Sequence, residues 1–385
     1  MTRPLGASHP DPTGPSGAKR DGGVDRVPVP LGERTYDVLI QDGLLDRVGE
    51  HLVPFGLGPA AVVVTNPVVQ RLYGARMLRS LKAAGFQPSV ISAPDGERAK
   101  SLKWMAAILE ALLKRRYERT TWLLALGGGV IGDLGGFAAS VYLRGIPFVQ
   151  VPTTLVAQVD SSIGGKTGIN HPLGKNLIGS FYQPKLVLID PRVLGTLAPR
   201  EYRAGLAEVI KYGVIQDAAL FEFLERDIER VLGRDITAVH RIIRTSCAIK
   251  AEVVSEDERE GDRRRILNFG HTLGHALETV TRYRRYKHGE AVAIGMVGAA
   301  CLAGRLGLAD ARVAARIRDL IRRTGLPTDL PACPASDLLR AMRQDKKVRN
   351  RQIHFVLPTQ IGNVVVVPIP EPDLRAFLAA KRPGT

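Results

Sequence analysis

The sequence has little cysteine and no long apolar run. Its 385 residues include three cysteines, Cys247, Cys301 and Cys333, an odd number without metal-ligand spacing. We therefore expect neither a disulfide framework nor a cysteine-held metal, and a reducing compartment suits free thiols. No stretch of about eighteen apolar residues is present, which excludes a membrane-spanning helix by length. The N-terminus also lacks the apolar segment of a secretory signal, so we predict a cytoplasmic protein.

Acidic residues are in the minority. The chain has 54 Lys and Arg against 38 Asp and Glu, giving a formal net charge of +16, which can indicate nucleic-acid binding. The basic residues are spread along the chain, however, and the clusters at Arg115–Arg116 and Arg263–Arg265 lack interleaved aromatic residues. We therefore expect no nucleic-acid and no membrane partner. A diffuse positive field also suits a small substrate that carries phosphate and carboxylate groups. If the chain instead bound nucleic acid, it would cause a salt-dependent gel shift.

The first half of the chain alternates strand and helix patterns. Residues 1–27 are rich in Pro, Gly and Ser and predict a disordered tail, and residues 28–190 follow as an α/β domain. Strands separated by amphipathic helices favour a doubly wound parallel sheet, which is typical of nucleotide-binding domains. The predicted strands are 60–66, 88–92, 120–126 and 146–152, and the predicted helix is 101–115.

Residues 191–385 predict a second, mostly α-helical domain. The stretches REYRAGLAEVIKYGVI, 220–254, HTLGHALETV and EAVAIGMVGAACLAGRL all have helical periodicity. A late pair of strands is predicted at 353–358 and 363–369. Two domains suit a chain of this length, and the cleft between them is the expected ligand site.

A glycine-rich turn follows the third predicted strand. In LLALGGGVIGDLGGF (123–137), Gly127, Gly129 and Gly132 fit the pattern G-x-G-x-x-G, which allows a pyrophosphate to approach a helix N-terminus. A plain tight turn between strand and helix is the alternative. The acidic residue expected at the end of the next strand is missing, since that strand ends in VPTT. The pattern therefore predicts a different mode of nucleotide binding, with ribose contacts from Glu97 and Lys100 in PDGERAKS (94–101).

The helical half contains an excess of possible metal ligands. In RILNFGHTLGHALETV (265–280), two histidines lie one helical turn apart with a glutamate on the same face. Two imidazoles and one carboxylate with an open position form a catalytic zinc pattern. The spacing does not choose among the donors, and polar helix residues at a domain interface are the alternative. The candidates are His271, His275, Glu278, His288, Glu290 and Glu208, with Lys211 one turn after Glu208.

A polar segment, QVDSSIGGKTGINHPLGKNLIGSFYQP (158–184), follows the fourth predicted strand. It is too rich in glycine for a plain helix, and it carries Asp160, Lys166, Lys175 and Asn176. These residue types bind a phosphorylated polyol. A solvated loop is the alternative interpretation.

Several segments together resemble the 3-dehydroquinate synthase family, from about Pro28 to Ile369. They are, in order, GGGVIGDLGGF, RGIPFVQVPTTL, the polar segment, GLAEVIKYG, NFGHTLGHALE, HGEAVAIGM and DKK (345–347). The resemblance implies an NAD-binding α/β domain followed by a helical metal-binding domain. It also implies conversion of 3-deoxy-D-arabino-heptulosonate 7-phosphate to 3-dehydroquinate and phosphate in the shikimate pathway, which leads to chorismate and aromatic amino acids. The family reaction proceeds by transient oxidation by NAD⁺, phosphate elimination, reduction, ring opening and an intramolecular aldol reaction.

The resemblance also implies roles for individual residues. The metal, Zn²⁺ or Co²⁺, would be held by Glu208, His271 and His288. NAD⁺ would contact Asp95, Glu97, Lys100, Gly128, Gly129, Val130, Asp133, Thr153, Thr154, Lys166, Lys175 and Thr196. The substrate would contact Asp160, Lys166, Lys175, Asn176, Lys211, Lys250, Glu260, Arg264, Asn268, His275 and Lys347. Arg144 would reach the phosphate site of a neighbouring subunit, which implies a homodimer.

Two other enzymes remain as alternatives at this point. A metal-dependent polyol dehydrogenase of the glycerol dehydrogenase type shares the two-domain plan, but it would produce NADH as a net product. An aminodehydroquinate synthase differs in its substrate, so a comparison of substrates would distinguish it.

Overall fold

The structure is a computed structural model that describes residues 20–21, 23–344 and 353–380. Residues 1–19, residue 22 and the DKK motif with Lys347 lie outside the described residues. The strands are β1 Arg20–Asp21, β2 Val24–Val29, β3 Tyr36–Ile40, β4 Ala60–Thr65, β5 Gln87–Ser92, β6 Trp122–Gly127, β7 Phe148–Pro152, β8 Lys166–His171, β9 Gly174–Phe181, β10 Leu186–Ile189, β11 Ile353–Gln360 and β12 Asn363–Ile369. The α-helices are α1 Val48–Leu52, α2 Pro67–Val69, α3 Ala75–Ala83, α4 Leu102–Lys114, α5 Gly129–Val141, α6 Pro199–Ile215, α7 Ala218–Leu232, α8 Ile236–Glu256, α9 His271–Val280, α10 His288–Arg305, α11 Ala311–Arg323, α12 Ala335–Gln344 and α13 Glu371–Ala380.

An eight-stranded sheet forms the first half, in the order β1-β2-β3-β10-β7-β6-β4-β5. The six strands from β3 to β5 in this order are parallel, as the alternating pattern predicted. β1 and β2 add an antiparallel edge. All six residues of β6 are buried, because helices cover both faces of a parallel sheet. The carboxyl ends of β6 and β7 therefore open at one edge, where Gly127 pairs with Pro152 and the glycine turn begins.

The predicted end of the disordered tail at residue 27 is wrong, since β2 begins at Val24. Asp25, Val27 and Val29 alternate with exposed residues and are buried. The strand pairs with β3 and packs against α8, so its apolar face has a partner that the local sequence did not indicate. The Pro and Gly content of the preceding residues concealed this alternation.

The second half is helical, with the two-stranded sheet β11–β12 against it. The stretch predicted as helical from 220 to 254 is two helices, α7 and α8, separated by a turn in which Arg234 has a φ of 59°. Helix α10 approaches its neighbours very closely. A Cβ atom on Gly289 would lie 1.9 Å from Ala204 O on α6, and one on Gly295 would lie 1.9 Å from Gly270 O before α9. These glycines allow α6, α9 and α10 to bring their polar residues together.

The polar segment of residues 158–184 begins in a π-helical turn, Ala157–Ser161, and continues as the antiparallel hairpin β8–β9. The hairpin packs on α5 through β8. The hairpin therefore places its lysines between the glycine turn and the helical half. Among the described residues, no helix has the length and apolar character needed to cross a membrane.

Candidate active site

One carboxylate and two imidazoles from three helices converge in the helical half. Glu208 on α6, His271 on α9 and His288 on α10 each offer one ligand atom, and these atoms lie within 4.8 Å of one another. Glu208 Oε1 is 3.6 Å from His271 Nε2 and 3.5 Å from His288 Nε2. His271 directs its other ring nitrogen, Nδ1, to the carbonyl oxygen of Phe269 at 3.0 Å. This arrangement leaves the Nε2 atoms of both histidines facing the same carboxylate.

These three residues fit a divalent metal. Glu208 is 1% exposed, and neither of its carboxylate oxygens accepts a hydrogen bond from the described residues. Burial would raise its pKa, but the positive charges of Lys211 and of His271 and His288 lower the pKa well below the usual range. A buried carboxylate that neighbouring positive charges keep ionised is well suited to a cation, and one Glu with two His matches a catalytic zinc donor set.

A second carboxylate, Glu278 of α9, contacts the outer side of this group. Its Oε2 lies 3.2 Å from His288 Nδ1, and its Oε1 lies 3.4 Å from Lys175 Nζ. Burial would raise the pKa of Glu278, but His288 and then Lys175 and His275 lower it to about 2. Burial would likewise lower the pKa of His288, but Glu208 and Glu278 raise it to about 9 in the metal-free chain. His275, Glu278 and His288 form an overlapping second group of possible metal ligands.

Asp160 gathers two buried lysines next to the metal-binding residues. Lys211 Nζ donates to Asp160 Oδ2 at 3.0 Å and also forms an ion pair with Glu208. Lys250 donates to the Asp160 carboxylate and to the Asp160 carbonyl oxygen. Burial, followed by the charge of Arg264, lowers the pKa of Lys250 well below its usual range. Lys211 thus connects the possible metal site to a second, cationic part of the pocket.

Arg264 extends this cationic part. Its guanidinium is buried and donates to the carbonyl oxygens of Glu258 at 2.7 Å and Gly164 at 3.1 Å. Lys166, the first residue of β8, forms an ion pair with Glu260, whose φ of 67° lies in the left-handed region. Asn268 ends the same short 3-10 helix, Arg263–Asn268, that carries Arg264. It is half-buried three residues before His271.

The glycine turn lies at the carboxyl edge of the parallel strands. Helix α5 begins at Gly129 with Gly128 at its N-cap and Val130 in its first turn. Side chains would fill this turn, because a Cβ atom on Gly129 would lie 2.8 Å from Ser161 Oγ, and one on Gly128 would lie 3.0 Å from Thr154 Cγ2. Thr153, directly after β7, donates its N–H to Gly127 O at 2.9 Å. The helix N-terminus is therefore open to a negatively charged group at this edge.

Asp133 and Lys100 form the polar wall beside the turn. Lys100 Nζ donates to Asp133 Oδ2 and to Asn176 Oδ1, each at 2.5 Å. Glu97 accepts a hydrogen bond from Asn170 Nδ2 at 2.8 Å and lies 3.7 Å from Lys175 Nζ. These contacts bring the segment PDGERAKS, helix α5 and the β8–β9 hairpin together. Asp95 contacts this group less directly, since it accepts from Asn66 Nδ2 at 3.0 Å.

Three predicted residues are not placed in these groups. Thr196 lies in the segment after β10, where its hydroxyl is 2.5 Å from that of Tyr73. Arg144 is exposed in a 3-10 helix after α5, and no hydrogen bond or ion pair joins it to the rest of the described residues. Lys347 belongs to the DKK motif and lies outside the described residues.

The sequence predicts Glu278 only as a possible metal ligand, and its contacts with His288 and Lys175 were not predicted. Asn170 is absent from the predicted site. Asn170 donates to Glu97 and accepts from the Asn176 N–H at 3.0 Å, which shapes the hairpin around Lys175. No local signal marks Asn170, because its role depends on the pairing of β8 with β9.

Comparison with known proteins gives consistent matches. Family sequence models described as 3-dehydroquinate synthase N-terminal and 3-dehydroquinate synthase C-terminal match residues 90–204 and 205–348. A curated 3-dehydroquinate synthase from Gloeobacter violaceus is 53% identical over 361 residues, which are 93% of this chain and 99% of that protein. A 2-epi-5-epi-valiolone synthase from Streptomyces hygroscopicus, solved with NAD⁺ and Zn²⁺ bound, has a TM-score of 0.83 at 31% identity, covering 91% of this chain and 98% of the other. A 2-deoxy-scyllo-inosose synthase solved with carbaglucose-6-phosphate, NAD⁺ and Co²⁺ has a TM-score of 0.84 at 25% identity, covering 93% and 100%.

Proposed function

The chain belongs to the 3-dehydroquinate synthase family, and we propose that it converts 3-deoxy-D-arabino-heptulosonate 7-phosphate to 3-dehydroquinate and phosphate. The observation that carries this proposal is the junction at Lys211, whose ammonium contacts both Glu208 of the metal group and Asp160 of the cationic group. A pocket that joins a Lewis-acid site to buried lysines suits a substrate that carries both a reacting hydroxyl and a phosphate.

Glu208, His271 and His288 would hold Zn²⁺ or Co²⁺, and the turn at Gly128, Gly129 and Val130 would hold NAD⁺. When bound, NAD⁺ supplies a reversible hydride acceptor, and the metal supplies Lewis acidity toward a substrate hydroxyl. The open N-terminus of α5 favours the pyrophosphate. The remaining NAD⁺ contacts would come from Asp95, Glu97, Lys100, Asp133, Thr153, Thr154, Lys166, Lys175 and Thr196.

The chain's own cations would bind and orient the substrate. Arg264 and Lys250 are buried, so their charges are poorly screened and strongly favour the phosphate and carboxylate of the substrate. Lys166 is more exposed and would neutralise the phosphate at the mouth of the pocket. Asn268 and Asn176 would orient hydroxyl groups by hydrogen bonds.

Two residues are placed to hold or move a proton. His275 lies one helical turn from His271, with its ring centroid 5.3 Å away, so its imidazole would face a substrate hydroxyl at the metal. Burial lowers the pKa of Lys250, so its ammonium gives up a proton more readily than that of an exposed lysine. Asp160 would hold Lys250 and Lys211 in position during turnover.

We propose a homodimer in which Arg144 reaches the phosphate site of the partner subunit. Leu143 and Arg144 have φ angles of 48° and 64°, a strained backbone held at an exposed position. Exposed apolar side chains lie next to it in sequence, since Val141 is 42% exposed and Leu143 is 38% exposed. The neighbouring residues Ser140 and Ser180 are joined by a 2.8 Å hydrogen bond, so α5 and the hairpin form one continuous surface. Apolar surface around a guanidinium that has no ion pair within the described part of the chain suits a symmetric contact.

The proposal also includes the organisation and location of the chain. Residues 28–190 would bind NAD⁺ and residues 191–385 would bind metal and substrate, with the reaction between them. The three cysteines form no disulfide. Free thiols suit the reducing cytoplasm, where we place the enzyme.

The decisive experiment follows phosphate release from the heptulosonate phosphate while NADH absorbance is recorded. We expect one phosphate per dehydroquinate formed, with NAD⁺ required in amounts far below the product and no accumulation of NADH. Stoichiometric NADH without phosphate release would establish a dehydrogenase instead. Turnover of only the amino analogue of the substrate would establish an aminodehydroquinate synthase.

A pair of matched variants tests the cationic pocket. Lys250→Met should lower kcat/KM by roughly a hundredfold or more, because a buried charge that acts on the reacting groups is lost. Lys114→Met removes an equal charge on α4, where Lys114 pairs with Glu110 on the surface, and should leave kcat/KM unchanged. Equal effects of the two substitutions would show that Lys250 has no special role.

A further inference from the structure

The two ring nitrogens of His288 face two different carboxylates. Nε2 lies 3.5 Å from Glu208 Oε1, and Nδ1 lies 3.2 Å from Glu278 Oε2. An imidazole that binds a metal through one nitrogen carries its proton on the other, and the acceptor of that proton fixes both the tautomer and the ring orientation. The geometry of His288 therefore requires an acceptor on the Nδ1 side, and Glu278 is in that position.

Glu278 is built into the site rather than lying on its surface. Its side chain is 6% exposed, and its position seven residues after His271 places both on one face of α9. Its two carboxylate oxygens have separate partners, His288 for Oε2 and Lys175 for Oε1. Lys175 in turn lies 4.1 Å from the ring centroid of Tyr283 and 3.7 Å from Glu97. The Glu278 carboxylate therefore joins α10 to the β8–β9 hairpin, and Lys175 extends the contact to the segment before α4.

The alternative role of Glu278 as a metal ligand fits the contacts less well. In that arrangement His288 would bind through Nδ1, together with His275 and Glu278. Glu208 Oε1 would then hold no metal, although His271 Nε2 and His288 Nε2 both converge on it, at 3.6 Å and 3.5 Å, while Lys211 pairs with Oε2. The Glu278 oxygens, in contrast, each have one partner of their own, His288 Nδ1 and Lys175 Nζ.

We propose that Glu278 is a positioning residue that orients His288 for the metal and Lys175 for the anionic ligands of the cleft. The inference rests on the proposed site of Glu208, His271 and His288. Loss of such an acceptor lowers metal affinity by about 10–100-fold in comparable sites. Because Lys175 shares the same carboxylate, its ammonium loses its anchor as well, so the KM for the phosphate-bearing substrate should also rise.

The test measures metal affinity directly, by competition of the metal-free chain with a chromophoric zinc chelator. Glu278→Gln should weaken Zn²⁺ binding by about 10–100-fold, and Glu278→Asp should restore part of the loss because it keeps the charge. Glu201→Gln is the matched control. Glu201 lies on the surface, 41% exposed, and pairs with Lys287 next to His288 at 2.6 Å, so this variant should bind Zn²⁺ as the wild type does. Lys175→Met should raise the KM while keeping the Zn²⁺ affinity within about threefold of the wild-type value. Lys175 contacts Glu278 Oε1, whereas His288 contacts Oε2.

A second readout reports the tautomer without depending on activity. Nitrogen-detected NMR of the zinc-loaded chain, with the His288 signal assigned through His288→Gln, should show Nε2 bound and Nδ1 protonated. Binding through Nδ1, or unchanged zinc affinity in Glu278→Gln and Glu278→Asp, would overturn the proposal. Complete loss of zinc in both Glu278→Gln and His275→Ala would make Glu278 a ligand and overturn it as well. If the wild-type chain failed to bind zinc, the proposed function and this inference would both be overturned. If only this inference is wrong, the wild-type chain still binds zinc.

Discussion

Substitution of Gly295 by alanine tests how closely the helices must pack to form the metal site. A Cβ atom at this position would lie 1.9 Å from Gly270 O, 2.8 Å from Gly270 C and 3.0 Å from Gly274 N. All three atoms belong to backbone, so no rotation of a side chain relieves the clash. Cβ atoms practically never approach other heavy atoms within 3.0 Å, so α10 and the start of α9 would have to separate by about 1 Å.

The magnitude follows from two opposing effects. Alanine is favoured over glycine inside a helix by about 1 kcal/mol. Overpacking costs about 1–3 kcal/mol, and a rigid backbone obstacle places this site at the upper end. We therefore expect Gly295→Ala to lower the free energy of unfolding by roughly 2 kcal/mol. Metal distances tolerate only about 0.2 Å, so a 1 Å separation of His288 from His271 should also abolish tight zinc binding.

Gly304 provides the matched control on the same helix. The nearest atom to a Cβ there is Ala309 O at 3.9 Å, an ordinary contact. Gly304→Ala should therefore gain up to about 1 kcal/mol of stability without loss of zinc. The assay is denaturant unfolding of the metal-free proteins, followed by zinc titration. Unchanged stability and unchanged zinc affinity in Gly295→Ala would refute the packing argument.

Three further predictions concern the metal, the assembly and pH. His271→Ala should lose both metal and activity, whereas His275→Ala should keep the metal and lose most turnover; equal metal loss, measured by elemental analysis, would show that the ligand assignment is wrong. Arg144→Ala should weaken substrate binding without unfolding the chain. Mixing these subunits with Lys166→Ala subunits should restore up to about half of the wild-type activity per heterodimer, because one site of the heterodimer then carries both substitutions and the other carries neither. No recovery despite confirmed subunit exchange would place Arg144 outside the partner's site. The pKa of His288 is raised to about 9, so its imidazole is protonated at neutral pH in the metal-free chain. Zinc must displace this proton, and the affinity of the site for zinc should therefore fall as the pH drops below about 9. Zinc titration in weak buffer near pH 7 should release protons, and a titration without proton release would contradict this assignment.

The elements with strong local periodicity were predictable from the sequence. The helix predicted at 101–115 is α4, Leu102–Lys114, because apolar residues at helical spacing define one buried face. The strand predicted at 60–66 is β4, since a short run of Val and Ala fits a strand covered on both faces. The short strand Leu186–Ile189 was missed because four apolar residues carry no distinguishable period.

The candidate site was predictable only in part. His271 and His275 lie one helical turn apart on the same helix face, and this spacing can be recognised from the sequence alone. The contacts of Asp160 with Lys211 and Lys250 join residues 51 and 90 positions apart, and nothing in the local pattern indicates such pairs. Their residue roles came from family resemblance rather than from spacing. The tertiary fold decides these contacts, because the hairpin and three separate helices must first reach their final positions.

The position of β3 in the sheet has a consequence for the order of folding. This strand, Tyr36–Ile40, pairs in parallel with Leu186–Ile189, so roughly 150 residues must be synthesised before its second edge is covered. Its neighbour β2 packs against α8, which ends at Glu256. During synthesis, the amino-terminal strands therefore keep an unpaired edge until most of both halves of the chain has left the ribosome. A chain with this connectivity is expected to fold slowly and as one unit, with exposure to aggregation during synthesis that a chaperone would reduce.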